Sequence, residues 1–561
     1  MALKDQIQSI IKGEVLDDQQ TLNTYSKDAS IFIIKPQLVV FPKDSEDIKA
    51  LVKYINENPE QNLSLTPRAA ATCMSGGPLN DSIILDMTKY FNSVLEVGDN
   101  FARTQPGVFY RDFEKKTLEK GLILPCYTSS REICTVGGMV GNNAAGEKSL
   151  SFGQTEKWVR KLKVILSDGN EYEIYPIDKN VLSNKVSQNN LEGEIYKKIS
   201  ELINENLELI KSSQPHTSKN STGYYLWKVS DEQTFDLTKL IVGSQGTLGI
   251  VTEIEFQLIK PKPQTAMLEI ELQNLEKLDQ IVNTVLEFKP ESFECFDDAT
   301  LKAATKYIGE IAKDFKKTHG FEVYLKILPE YLMSLAGQLP KLILIAEFTG
   351  ENEGEEIDLA QKAKEALTKF NIHLRVIHSN DEEKYWIIRR DSFNILRHHS
   401  GENMRTAPFI DDIIISPKDL PQFLPRLQEL LKQYEGKIIY TIAGHIGNGN
   451  FHIIPLMNFS DENIRSLIPE ISEKVFNLVF EFKGSMAAEH NDGLVRGPYL
   501  PKMYGEQMYQ LFKEVKEIFD PKKIFNPHKK TDATIKYSMD HLDHGVKLKE
   551  VEDYAATPKP T

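Results

Sequence analysis

Cysteine is scarce in this chain. Four are spread over 561 residues, Cys73, Cys126, Cys134 and Cys295, with no CxxC spacing. They support neither a disulfide framework nor a zinc ribbon, and no iron–sulfur cluster can be built from them. Long apolar runs are missing as well: no window approaches the ~18 residues of a membrane-spanning helix, so no transmembrane segment is expected. The start, MALKDQIQSIIKGEVLDD, is charged throughout and lacks an apolar stretch with a small-residue cleavage site. No signal peptide is therefore expected. The expected address is the cytoplasm, with a peripheral position at a membrane left open. Positive charge is also in deficit. With 67 Lys and Arg against 81 Asp and Glu the formal net charge is −14, so there is no electrostatic reason for a nucleic-acid partner.

What is present is ordinary globular composition, 40% hydrophobic and 26% charged, in a chain too long for one core. Residues 1–34 read as a helical lead-in. From about Gln37 short strands (LVVFP, SLTPR, SIILD, FARTQPGV) alternate with helices, and VILSDGNEYEIY forms a hairpin with an Asp-Gly turn. The stretch KLIVGSQGTLGIVTEIEFQLIKPKP reads as strand-rich and ends at a boundary near Pro261–Pro263. Residues 263–530 then repeat strand, long helix, strand (TAMLEIEL, SFECFD, KLILIAEF, IHLRVI, PFIDDIII, KIIYTIAG). This predicts an α+β domain whose mixed or antiparallel sheet is covered by helices on one face. Residues 531–561 lose apolar periodicity and read as a loosely held tail.

Three segments place small residues where strands turn: PRAAATCMSGGPLNDSIILD (67–86), SSREICTVGGMVGNNAAGEKSLSFG (129–153) and VGSQGTLGIVTEIEF (242–256). Small residues let backbone approach a ligand and present N–H groups to phosphate oxygens, and Arg68 could add charge. None fits a GxGxxG strand–turn–helix, so a nicotinamide domain is not indicated. A second group lies far downstream. GHIGNGNFH (444–452) sets His445 and His452 across a turn, and GSMAAEHNDGLVRGPYL puts Glu489 beside His490. Imidazoles and a carboxylate suit a divalent first-row metal.

In order and sequence the three glycine-bearing segments resemble the FAD-binding domain of the vanillyl-alcohol-oxidase type flavoproteins, over roughly residues 35–262. The resemblance implies a two-part FAD-binding domain, and since nothing in the sequence calls for covalent attachment the FAD is expected to be non-covalent. It implies FAD contacts from Arg68, Ala69, Ala70, Ala71, Thr72, Ser75, Gly76, Ser129, Thr135, Gly138, Asn142, Asn143, Gly146, Gly246, Ile250 and Val251. Alanines 69–71 stand where the family usually has glycines, although an RAAG version leaves Ala71 as the one unexpected residue. Gln245 replaces a common glutamate.

GHIGNGNFH, EHNDGLVR and FDPKKIFNPHK resemble the motifs of flavin dehydrogenases acting on D-lactate, D-2-hydroxyglutarate and glycolate. That resemblance implies a divalent metal, zinc or manganese, on His445, His452 and Glu489, with His490 as base. Asn526 of FNPHK would contact the flavin. Asn448 stands for a usual Asp and Asn491 for a usual Gly. The helix 381–401 carries the family's W-x-x-R element as Trp386 and Arg389, with Arg389 expected on the substrate carboxylate; His398 and His399 read as C-terminal helix charges.

The implied reaction is FAD-dependent oxidation of a small 2-hydroxy acid to the 2-oxo acid. Alternatives are a transferase of the alkyl-glycerone-phosphate synthase type or a non-catalytic electron-transfer flavoprotein subunit. Some long members of the family carry a C-terminal iron–sulfur module. With every cysteine at or before Cys295, a separate protein or a quinone is the expected electron acceptor.

Overall fold

The computed structural model describes residues 2–298, 300, 302, 339–378, 385–386 and 404–544. Its first sheet uses β1 (Glu14–Leu16), β2 (Leu38–Phe41), β3 (Leu65–Arg68) and β4 (Ile83–Asp86), in the order β1-β2-β4-β3. The last three run parallel, and β1 closes one edge antiparallel to β2. Strands β2 and β4 are buried at every position, as strands covered on both faces must be. Helix Ser45–Glu57 explains part of that cover. Asp44 caps its N-terminus by accepting from the Asp47 N–H, and Ile48, Leu51, Val52 and Ile55 bury one helical stripe.

The second sheet takes β5 (Val94–Val97), β6 (Phe101–Thr104), β7 (Val159–Ile165) and β8 (Glu171–Ile174). A short ribbon, β9 (Ile177–Asp178) with β10 (Thr234–Phe235), follows in the chain. Strand β11 (Ile250–Gln257) then inserts at the centre of the second sheet, giving β5-β6-β11-β7-β8. The expected hairpin is the antiparallel pair β7–β8. The stretch read as strand-rich begins instead with a helical turn, Thr238–Ile241, so only its second part joins the sheet.

The third sheet begins directly after Pro263. It contains β12 (Gln264–Leu272), β13 (Ser292–Asp297), β14 (Leu342–Gly350), β15 (His373–His378), β16 (Met404–Thr406), β17 (Ile413–Ile414), β18 (Ile438–His445) and β19 (Asn450–Asn458). Its order is β15-β12-β14-β13-β18-β19-β16, with β17 also on β19, and every pairing is antiparallel. Helix Glu355–Leu367 packs on β12, β14 and β15, and Leu278–Leu286 packs against it. Of the expected strand PFIDDIII only Ile413–Ile414 pairs. Asp412 has φ 68°, which breaks extension and turns two aspartates out of the sheet.

The two ends also differ from expectation. The lead-in holds helices Leu3–Gln8 and Gln19–Tyr25 but also strand β1. Residues after Lys530 are not loose as far as His544. Thr534 caps a helix at Ile535–Asp540, Ser538 donates to the Leu494 carbonyl, and Leu542 is buried in a bridge with Phe32. Asp543 pairs with Lys27 and Arg405. Six ordered residues and three anchors are too short a signal for apolar periodicity to reveal.

Candidate active site

The three small-residue segments converge. Together they line one solvent-open cleft. Arg68 to Thr72, Thr135, Gly138, Asn142, Gly246 and Val251 form its wall. Among the described residues no hydrogen bond is donated by the backbone N–H groups of Ala69, Ala70, Ala71 or Thr72. A Cβ placed on Gly141 would meet nothing within 4 Å, because that face looks into the cleft. Unspent amides among small residues fit a phosphate-bearing dinucleotide.

The remaining expected contacts lie outside this wall. Ser129 is exposed, and Ile250 belongs to the core beneath the first sheet. Gly146 packs on the Tyr127 carbonyl, where a Cβ would come within 2.2 Å of the oxygen. Asn143, in the left-handed region at φ 51°, accepts the Glu156 N–H. Arg68 lines the cleft, but its guanidinium donates to the carbonyls of Tyr25 and Lys27 and lies over the Tyr25 ring. Its charge is thus committed to the N-terminal segment. Ala71 has φ 56° and pays the left-handed penalty that glycine would avoid; Ala69 and Ala70 are not in that region.

Ser75 and Gly76 face a different neighbour, the turn 489–496, whereas Asn526 is buried among the cleft segments. Ser75 Oγ donates to the His490 carbonyl at 3.2 Å, and the Leu494 N–H donates to the Ser75 carbonyl. Gly76 packs against Leu494. Gln245 accepts from the Gly493 N–H at 2.9 Å, while its amide reaches Asn142 and Ser75. Asn491, at φ 63°, tolerates the backbone that glycine would otherwise serve and donates to the carbonyls of Asn142 and Gly243. Asn526 ties Gly77 to Gln245 by donating to both carbonyls. Two of the departures from the family pattern, Gln245 and Asn491, therefore fasten this turn to the cleft segments.

On that turn Glu489 meets three imidazoles. His445 ends β18 and His452 lies in β19; Ala443 opposes His452 in register, so both histidines project from one face. Glu489 Oε1 is 3.2 Å from His445 Nε2, 3.4 Å from His452 Nε2 and 3.9 Å from His490 Nε2. The His452 and His490 rings stack at 5.1 Å. Ligand atoms of Asp412, His452, Glu489 and His490 all lie within 4.8 Å of one another. Nitrogen and oxygen donors converging this way fit a divalent first-row ion.

Several participants carry no signal that motif spacing could show. Glu294 on β13 holds His445 Nδ1 at 2.6 Å. Lys219, fully buried, donates to Glu489 Oε2 at 3.0 Å. Asp411 reaches both His452 and His490, and Asp412 Oδ2 accepts the backbone N–H groups of Glu489 and His490. Arg496, buried, donates to the carbonyls of Met486, Asn491 and Asp411. Asn448 does not face the cluster: its amide donates to Ser218 and accepts from Ser149. The carboxylate expected to be missing there is not missing from the cluster, which Asp411 and Asp412 supply.

Burial would push the Glu489 carboxyl up, but Lys219 and His445 outweigh it and hold it well below the usual carboxylate range. Asp411 is lowered in the same way, burial being overcome by His490 and His452. Burial works against protonated His452, yet the bonds to Asp411 and Glu489 raise it to about 10. His490 is also raised, since Asp412 and Asp411 overcome its burial. Trp386 is buried; Arg389, His398 and His399 lie outside the described residues.

Two family models match, the FAD binding domain at residues 36–175 and the C-terminal domain of FAD linked oxidases at residues 262–530. The two parts of the chain thus match the two domains of FAD-linked oxidases. The chain is 28% identical to a D-2-hydroxyglutarate dehydrogenase of Pseudomonas putida, over 92% of this chain and 50% of that protein. It thus spans about half the length of the first curated relatives it matches. A D-2-hydroxyglutarate dehydrogenase of Stutzerimonas stutzeri is 25% identical over 94% of this chain and 98% of its own length. Among solved structures, p-cresol methylhydroxylase aligns with a TM-score of 0.66 at 12% identity, covering 94% of this chain and 96% of that one. Alkyldihydroxyacetonephosphate synthase aligns at 0.62 and 17%, covering 92% and 83%. These likenesses establish the α+β flavoprotein fold. Among the described residues no helix is long and apolar enough to cross a membrane.

Proposed function

We propose that this chain oxidises a small 2-hydroxy acid of the D-lactate, D-2-hydroxyglutarate or glycolate class to its 2-oxo acid, with non-covalent FAD as electron acceptor. The carrying observation is the convergence of three imidazole Nε2 atoms on Glu489 Oε1, on a turn hydrogen-bonded to the FAD-cleft segments. Names of the relatives support the substrate class.

His445, His452 and Glu489 would hold a divalent ion, zinc or manganese, which when bound lowers the pKa of a coordinated hydroxyl. Flavin, held by the cleft segments, would supply a two-electron acceptor for the hydride that the substrate loses. The protein's part is proton transfer and orientation. His490 takes the hydroxyl proton at Nε2 as C2 loses its hydride, and a carbonyl remains. Arg389 would bind the substrate carboxylate as a two-pronged pair. Asn526 would act on the flavin through the cleft loops it ties together at Gly77 and Gln245. A separate protein or a quinone would reoxidise the flavin. The test is anaerobic mixing of FAD-loaded protein with a panel of D- and L-2-hydroxy acids. Bleaching of the flavin by one enantiomer series is expected, and no bleaching by any member defeats the reading.

A further inference from the structure

We propose that Asp411 is the positioning residue of this site, one carboxylate that fixes two imidazoles at once and turns both Nε2 atoms towards Glu489. The inference rests on the functional reading above. Asp411 Oδ1 lies 3.2 Å from His452 Nδ1, and Oδ2 lies 2.7 Å from His490 Nδ1. The second approach is close but not aligned as a hydrogen bond, and the carboxylate still favours a proton on the nitrogen it faces. On the far side of the stacked ring pair, both Nε2 atoms face Glu489 Oε1.

A neutral imidazole has one N–H. To ligate an ion or to accept a proton at Nε2, it must carry that proton on Nδ1, and an ionised acceptor beside Nδ1 selects this tautomer. Asp411 is 0% exposed. Among the described residues no lysine or arginine lies within ion-pair distance of its side chain. Burying a carboxylate without a cation is costly, and here its charge is spent on the two rings. Its neighbour does a separate job. Asp412 binds backbone N–H groups of the turn, and Asn450 fills its other oxygen. The Asp411 backbone is fixed independently, its carbonyl accepting from Arg496 at 2.6 Å. The side chain is therefore not needed to hold the loop.

Sharing one carboxylate makes an unusual demand. An amide in its place can serve one ring as acceptor while its NH₂ faces the other, so one of the two tautomers is lost. The test compares Asp411→Asn and Asp411→Glu with the parent and with His490→Ala, all as full chains loaded with FAD. Zinc and manganese affinities are read by chelator competition, ligand geometry by the visible spectrum of the cobalt-loaded protein, and flavin reduction at saturating metal. Asp411→Asn should keep FAD, lose about 10–100-fold in metal affinity, shift the cobalt bands, and reduce its flavin about 10²-fold more slowly even when metal-saturated. Asp411→Glu should recover part of the affinity. A folded, FAD-loaded Asp411→Asn with parental affinity and cobalt spectrum overturns the inference, as does an Asp411→Glu protein no better than the asparagine variant. If His490→Ala reduces its flavin at the parental rate, the functional reading fails, and the affinity and cobalt arms still judge Asp411.

Discussion

The cleft and the cluster recognise by opposite means. The cleft is built from backbone and missing side chains, with amides at 69–72 unspent and Gly141 open. The cluster is built from charged side chains, each fixed by another: Glu294 on His445, Asp411 on His452 and His490, Lys219 on Glu489. A cleft of the first kind fails when atoms are added. A cluster of the second kind fails when charge or a donor is removed, even with shape preserved.

The largest expected effect breaks the comparison on the cluster side. His490→Ala should leave FAD bound and slow flavin reduction by roughly 10²–10⁴-fold, the usual worth of a general base. Stopped-flow bleaching checks this; unchanged bleaching would move the base elsewhere. Lys219→Met removes a cation and almost no volume. Breaking a buried ion pair costs about 3–5 kcal/mol, so its denaturant midpoint should fall while FAD stays bound. A parental midpoint would show that Glu489 is held without Lys219.

On the cleft side, Gly246 has φ +71° and a Cβ there would come 2.5 Å from Pro67 Cγ. Gly246→Ala should therefore cost on the order of 1–3 kcal/mol and weaken FAD, read by flavin release on dilution, with metal affinity unchanged. The reverse change is milder. Ala71→Gly relieves the left-handed φ of 56° and should stabilise by about 0.5–1 kcal/mol after glycine's chain entropy is subtracted. A fall in thermal midpoint would show that the methyl group is needed.

A separate effect, spread over a pH window, concerns Lys529. Burial lowers Lys529 from 10.5 to about 8 against the attraction of Asp532, Asp28 and Asp81. Below pH 8 both folded and unfolded chains are protonated and the burial penalty is complete. Between pH 8 and 10.5 the unfolded chain binds more protons, so stability rises with pH through that window. Lys529→Met should flatten that rise relative to the parent, seen in denaturant midpoints from pH 7 to 11.

How much of this was legible in the sequence follows the same division. The cleft segments announce themselves because glycine and alanine at strand ends leave contiguous strings, and the histidine-glutamate pair sits in short motifs. The supporting residues are invisible for a physical reason. Lys219, Glu294, Asp411 and Asp412 reach Glu489, His445, His452 and His490 from distant parts of the chain, and each looks locally ordinary. Glu294 sits in SFECFD and the aspartates in PFIDDIII, both apolar strings that read as strand. A polar residue facing inward from such a string was the available signal. Asn448 lies inside the histidine motif, but sequence position gives proximity to the motif and not the direction of the side chain, which points to Ser218 and Ser149.

The central claim is that the imidazole–carboxylate cluster and the FAD cleft act as one site. The direct measurement is anaerobic flavin reduction by the most reactive 2-hydroxy acid, using protein stripped of metal and the same protein reloaded with zinc or manganese. The account predicts that stripped protein keeps its flavin yellow and that reloading restores bleaching. Bleaching at the full rate in protein shown to be metal-free would contradict it.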